Sequence, residues 1–441
     1  MPTETQERNI ARLRRTVGGL SRMSTRENRV GLILLVSQVA VALGALVVNV
    51  LAARALGPAG RGALALHLQI TYIASAVLLL GRDRSFLATS VEGISLRSST
   101  RQMISLLPMP LTLSLIFSVA VGLAFHSLGE LEAAALVLGY ILVVTGIMLS
   151  RFDRSAAIVA TSPWYFTAAV LASQILLIGT SVALLISHVT SVTVWFLAYG
   201  LTLGLPFVCS VLLSLRGKGT LDIGARTNRA ARKLGMRLLP SVIGEMALLR
   251  VDRLLVPALA SYYQLGIYVV AATMTELATW PLLQYVDSQT RGWVTRFVQG
   301  TLSPWRIFAG TSIFSVCLSA AVAVPAYIAI PVLFGADYHE AQTLIPVLSI
   351  ATALFGISRV AIGLATVAGV AHWPGWINGV GLVSSLAFCV MLVPQYGALG
   401  ASYASLISYG VCAGLAVVAV ARVSRLTGLQ LSQSGREPQL S

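Results

Sequence analysis

A few charged and polar side chains stand inside long apolar stretches, where a charge costs several kcal/mol unless something pairs with it or solvates it. The densest group is GEMALLRVDRLLV (244–256), which holds Glu245, Arg250, Asp252 and Arg253. On a helix, Glu245 and Asp252 lie two turns apart on one face, with Arg253 about a quarter turn away and Arg250 on the other flank. The arginines of such a stripe suit an anionic group. Its carboxylates, Glu245 and Asp252, suit the uptake and release of a coupling ion. The same stripe also fits an internal set of ion pairs, Asp252 with Arg253 for example.

Four further positions have comparable chemistry. Glu276, in AATMTELATW (271–280), fits a proton or sodium relay or a pair with Arg250 or Arg253 across a hairpin. Arg359, in FGISRVAIG (355–363), fits a bidentate phosphate contact or a pair with a distant carboxylate. Arg54, one turn beyond Asn49, either lines a cavity or reaches to a water interface. His67, near Gln69, reads as a hydrogen bond between packed helices or as a proton carrier. Asp287 closes the same apolar run as Glu276.

These residues must be carried by membrane helices. Of 441 residues, 56% are hydrophobic and only 11% charged. A soluble domain of ordinary composition has about 25% charged residues. A helix crosses the hydrocarbon core in about 20 apolar residues. Runs of that kind fall at about 31–56, 62–81, 104–125, 132–150, 166–187, 192–214, 238–260, 266–288, 307–334, 342–370, 376–394 and 397–421. The fourth continues helically past Arg151 and Arg154 to about 160. None alternates like a barrel strand, so only helices can satisfy the backbone in lipid. The expected fold is all-α, a polytopic membrane protein of about twelve transmembrane helices.

The basic residues orient it. Arg8, Arg12, Arg14, Arg15, Arg22, Arg26 and Arg29 precede the first span. Arg82, Arg84, Arg97 and Arg101 follow the second, Arg151 and Arg154 the fourth. Arg216, Lys218, Arg226, Arg229, Arg232, Lys233 and Arg237 follow the sixth, and Arg291, Arg296 and Arg306 the eighth. The loops of the other side hold Arg61 with Glu130, Glu132, Asp337 and Glu340. The alternation places both termini on the cytoplasmic side. It gives a basic N-terminal segment (1–30), six spans (31–214), a basic linker along the inner lipid surface (215–237), six more spans (238–421) and a tail (422–441).

Several classes are excluded. The net charge of +15 forms no single patch with interleaved aromatics, so no nucleic-acid partner is expected. Cys209, Cys317, Cys389 and Cys412 lack metal or redox spacing. No metal, cofactor or enzyme constellation is expected, and no large loop could hold a catalytic site. The first thirty residues are polar, without a cleavage site after the first apolar run, so no cleavable signal is expected.

The two sets of spans are weakly alike. ARALGPAGRGALAL (53–66) corresponds to PALASYYQLGIYVVA (257–271), and the stretch 150–166 to 358–376. An even number of spans per set makes this a parallel repeat, with substrate expected between halves. Pro206, Pro257, Pro281 and Pro325 permit kinks.

Four segments resemble one family: AARALGPAGRGALAL (52–66), RVDRLLVPALASYYQLGIYVVA (250–271), LFGADYHEAQTLIPVLSIA (333–351) and LVPQYGALGASYASLISY (392–409). Their order and spacing resemble the polysaccharide-exporter branch of the multidrug/oligosaccharidyl-lipid/polysaccharide flippase superfamily. The resemblance covers about 30–421. It implies two six-helix lobes around a central cavity, alternating access, proton or sodium coupling, and a polyprenyl-pyrophosphate-linked oligosaccharide as substrate. By position, Arg250, Arg253, Arg359 and Arg54 would then bind the pyrophosphate. The expected partners are an undecaprenyl-pyrophosphate-linked glycan, membrane lipids, a polysaccharide polymerase and glycosyltransferases, around a monomer in a bacterial inner membrane. A drug or metabolite antiporter and a non-transporting scaffold of glycan assembly are the alternative readings.

Overall fold

The structure, a computed structural model, describes residues 25–90, 94–127, 133–216, 225–370 and 372–434. The basic segment before residue 25, Glu130 and Glu132, the stretch 217–224 with Lys218, and the tail from 435 lie outside the described residues.

Among the described residues, thirteen α-helices follow in order. They are α1 (Thr25–Leu78), α2 (Arg82–Thr89), α3 (Leu96–Leu106), α4 (Pro108–Ser127), α5 (Ala133–Val159), α6 (Trp164–Ile186), α7 (Val192–Arg216), α8 (Ala225–Leu259), α9 (Tyr262–Glu276), α10 (Thr279–Val298), α11 (Pro304–Phe334), α12 (His339–Val367) and α13 (His372–Ser434). No strand occurs among the described residues. Among the described residues, eight helical stretches are long and apolar enough to cross a membrane, and α9 with α10 adds a ninth, bent by 47°. The two longest are divided by glycines outside helical geometry: α1 at Gly57 (φ 67°), followed by Pro58, and α13 at Gly397 (φ 56°). Each glycine falls where hydropathy divides one span from the next. α8 is missing from the eight because its apolar part carries the four charges of 245–253. The segment 225–237, basic and outside the apolar run, forms the first turns of α8.

The chain divides into two compact units. The described part of the first is 25–269 with 333–337, so α8 and the start of α9 pack with α1–α7. Two clusters build its core. One joins Leu79, Phe86, Met103, Met148, Phe152, Phe166, Phe207 and Ala231, and the other Ala52, Leu64, Tyr140, Trp195 and Phe196. The second unit holds the rest of α9 through α13. Its core gathers Trp293 and Phe297 of α10, Phe308 of α11, Val360 and Leu364 of α12, and Val420 of α13. The helices keep apolar side chains outward: Ile175 and Ile186 are each 70% exposed. That arrangement suits hydrocarbon and not water.

The start of α9 and the first half of α8 are held against α1 and the residues after it by backbone contact. At one end, a Cβ on Gly62 would overlap the Tyr262 carbonyl oxygen, and one on Gly266 the Pro58 carbonyl. Each glycine thus lies on the carbonyl four residues before the other. The contact is therefore reciprocal, Pro58 and Gly62 against Tyr262 and Gly266. Only a residue without Cβ permits such an approach. At the other end Gly81 lies on the Gly235 carbonyl, and Gly235 on the Leu80 carbonyl.

Gly62→Val and Gly266→Val should each abolish most folded protein, read as the monodisperse peak in detergent chromatography. Gly179→Ala, with nothing within 4 Å of its added methyl, should leave that peak unchanged.

Candidate functional site

The charged stripe of α8 is placed residue by residue. Glu245 accepts from Arg84 Nη2 of α2 at 3.1 Å, a pair with both partners partly exposed. Asp252 is 6% exposed and Arg253 8% exposed, while Arg250 is half-buried. Asp252 Oδ1 accepts from the Arg253 backbone N–H at 2.7 Å. Its Oδ2 accepts from the hydroxyl of Tyr268 across the α8–α9 hairpin. A buried carboxylate needs such donors, because leaving it short of one costs about 1–3 kcal/mol. Tyr268 is fully buried and reads in sequence as one more core aromatic.

Arg54 is exposed and donates from Nε to the Leu333 carbonyl at 2.6 Å. That carbonyl is among the last of α11, where no helical N–H remains to meet it. Arg61 departs from its reading as a loop residue. It is buried in the second arm of α1, and its Nε donates to Asn49 Oδ1 at 2.7 Å. Burial obliges the guanidinium to find an acceptor, and Asn49 lies on the facing arm. His67 Nδ1 meets the Tyr140 hydroxyl at 2.7 Å, within a box of Phe125, Tyr140 and Phe196. This is the helix-packing role.

The second unit holds two of the predicted residues. Glu276 is the last residue of α9, half-buried at the 47° bend. Thr279 Oγ1 donates at 2.7 Å to the Glu276 carbonyl at this bend. Arg359 is half-buried on α12 and stands 5.8 Å from the centre of the Phe355 ring one turn before it. The side chain of Asp287 lies outside those described.

A second cationic group has a different origin. A cavity of about 260 Å³ opens within the first unit between both arms of α1 and helices α5, α6 and α7. Arg151 and Arg154 line it with Tyr72, Tyr199 and Gln174. No residue of the lining is acidic. Asp83 reaches Arg151 from outside the lining, 3.9 Å from Nη1. Gln174 is 8% exposed, and its Oε1 is buried without a hydrogen-bond partner. By charge these arginines read as an inner-loop pair. The signal that relocates them is the helical continuation of the fourth span, which puts them one turn apart on α5.

Basic residues also brace the helix ends beside this cavity. Arg82 is buried and donates from Nη1 to the Leu106 carbonyl at 2.5 Å, and Arg232 Nη2 to the Ser105 carbonyl at 3.1 Å. Both meet the C-terminal carbonyls of α3, where a cation complements the dipole. Burial, and then the nearby Arg232 charge, lower the Arg82 pKa from its ordinary value.

No family model matches the sequence, and no curated protein matches it significantly. Solved structures do. A multidrug resistance MATE family transporter of the MOP superfamily, inward-facing, superposes with a TM-score of 0.67 at 14% identity, over 95% of this chain and 99% of that one. An outward-facing structure of such a transporter gives 0.56 at 14% identity, over 91% and 96%. A MOP superfamily transporter from Pyrococcus furiosus gives 0.57 at 14% identity, over 91% and 96%. The chain therefore has the fold of MATE-type transporters of the MOP superfamily. At this identity the likeness is one of fold, and it makes the chain a multi-pass membrane protein.

Tyr268→Phe should destabilise the protein by about 1–3 kcal/mol, since it strips a donor from buried Asp252. Thermal unfolding in detergent reads this as a lowered Tm. Tyr327→Phe, at an exposed tyrosine, should leave Tm unchanged.

Proposed function

We propose that this protein is a transporter that moves a polyprenyl-pyrophosphate-linked oligosaccharide from the inner to the outer leaflet, in polysaccharide or cell-wall glycan assembly. The observation that supports the reading is the lining of one cavity. Within a fold of transporters, the first unit places Arg151 and Arg154 at a cavity without an acidic lining residue. For the P. furiosus transporter of this fold, a reversed polarity of the binding pocket suggests a different function. Polarity discriminates among substrates for a physical reason. Guanidinium groups replace water around an anion and cannot do so around a cation.

A diphosphate cannot cross hydrocarbon unaided. In this reading its polyprenyl tail stays in lipid, while Arg250, Arg253 and Arg54 of the first unit shelter its charge, with Arg359 of the second a further candidate. Glu245, Asp252 and Glu276 bind the coupling proton or sodium. Differential affinity of the two states for substrate and ion then drives alternating access. The chain works as a monomer in a bacterial inner membrane with cytoplasmic termini. Glycosyltransferases would build its substrate, and a glycan polymerase would use what it delivers.

The test is depletion followed by analysis of lipid-linked intermediates. Undecaprenyl-linked repeat units should accumulate on the cytoplasmic face. The native gene should clear them, and a stably folded Arg250→Ala/Arg253→Ala variant should not. Normal export by that variant would support a scaffold. Loss of drug tolerance without accumulation would support an antiporter.

A further inference from the structure

We infer that Asp153 is a proton-binding site in the seam between α5 and α7, loaded and unloaded within the folded protein. As a carrier of the coupling proton it rests on the transport reading; as a proton site it does not.

The seam places the carboxyl. A Cβ on Gly139 would overlap the Phe196 ring, and one on Gly146 would stand 3.1 Å from the Gly204 nitrogen. Asp153 follows Gly146 by the same two turns, so it shares their face and points at α7. There the Ser210 hydroxyl donates to Asp153 Oδ2 at 2.6 Å, and both residues are 3% exposed. Phe152, Ala156 and Phe207 of the same two helices are buried in one apolar cluster. Pro206 removes the helical bond to the Thr202 carbonyl one turn before Ser210, which gives α7 a joint beside the contact.

No basic group among the described residues comes within ion-pair distance of Asp153. Its neighbours Arg151 and Arg154 line the cavity on another side of α5. Of the helices packed against α5, α2 commits Arg82 to the Leu106 carbonyl, Asp83 to Arg151 and Arg84 to Glu245. Arg97 and Arg101 of α3, Arg216 and Cys209 of α7, and Arg54, Arg61, His67 and Tyr72 of α1 do not pair with it. α4 and α6 contain no Asp, Glu, Lys or Arg.

An isolated carboxylate is costly in such a place, and the neutral acid avoids that cost. Neither form is locked, because a hydroxyl donates to a carboxylate and accepts from an acid. Asp252 differs: the Arg253 backbone N–H can only donate to it. When Asp153 passes its proton to water, a carboxylate remains in the seam and weakens the α5–α7 contact beyond Pro206.

The test uses the full chain in detergent, with infrared difference spectra between mildly acidic and alkaline pH. The native protein should show a protonated-carboxyl C=O stretch that alkali removes and that Asp153→Asn lacks. Asn has the shape of the acid and still accepts from Ser210, so this variant should fold. Ser210→Ala should keep the band and shift its frequency, since the acid loses its hydrogen-bond partner. Thermal unfolding gives a second readout. The unfolded chain releases this proton in the ordinary carboxylate range, so rising pH opposes the loaded folded state. The Tm of the native protein should therefore fall relative to that of Asp153→Asn as pH rises. An acid band that neither substitution alters, or a Tm difference constant with pH, would overturn the assignment. Both readouts need no cargo, so they are decided apart from the depletion experiment that tests transport.

Discussion

Four charges within 245–253 of one helix are the constraint around which the first unit is built. A charged residue at the centre of a bilayer costs about 2.5–3.5 kcal/mol by insertion measurements, so α8 cannot turn this face to lipid. It needs protein within hydrogen-bonding distance. The backbone contacts at Gly81 and Gly235, and those of Gly62 and Gly266 at the start of α9, bring the α8–α9 hairpin close enough for that. Once it is there, Arg84 reaches Glu245 and Tyr268 reaches Asp252. The glycines and the charges are therefore two parts of one device: small residues set the distance, and polar groups use it.

The same logic gives the protein two surfaces of opposite character. Outward, Ile175, Ile186 and their neighbours present hydrocarbon to hydrocarbon. Inward, Arg151 and Arg154 present cations to a small cavity. In a low-dielectric surrounding each inward charge acts more strongly than it would in water. Asp83 stands 3.9 Å from Arg151 and offsets part of its charge.

Much of this was legible from residue order. The lack of charge and the length of the apolar runs specify helices in a membrane, and the glycines at 57 and 397 fall where hydropathy breaks the runs. The charged stripe on α8 was visible because four ionisable residues in an apolar helix violate composition on their own. Arg151 and Arg154 were harder, since a pair of arginines after a span looks like an ordinary inner loop. Tyr268 gave no signal, because a tyrosine in an apolar helix resembles any core aromatic.

Hydropathy and helical period are local properties, and they determined the fold class, the approximate ends of the helices and which residues share a face. What each face meets depends on how helices cross, and only the folded chain decided that. It assigned α8 to the first unit, buried Arg61 against Asn49, and turned Arg154 and Gln174 of separate helices toward one cavity. Crossing geometry is set by packing between residues far apart in sequence, and no periodicity along a single helix records it.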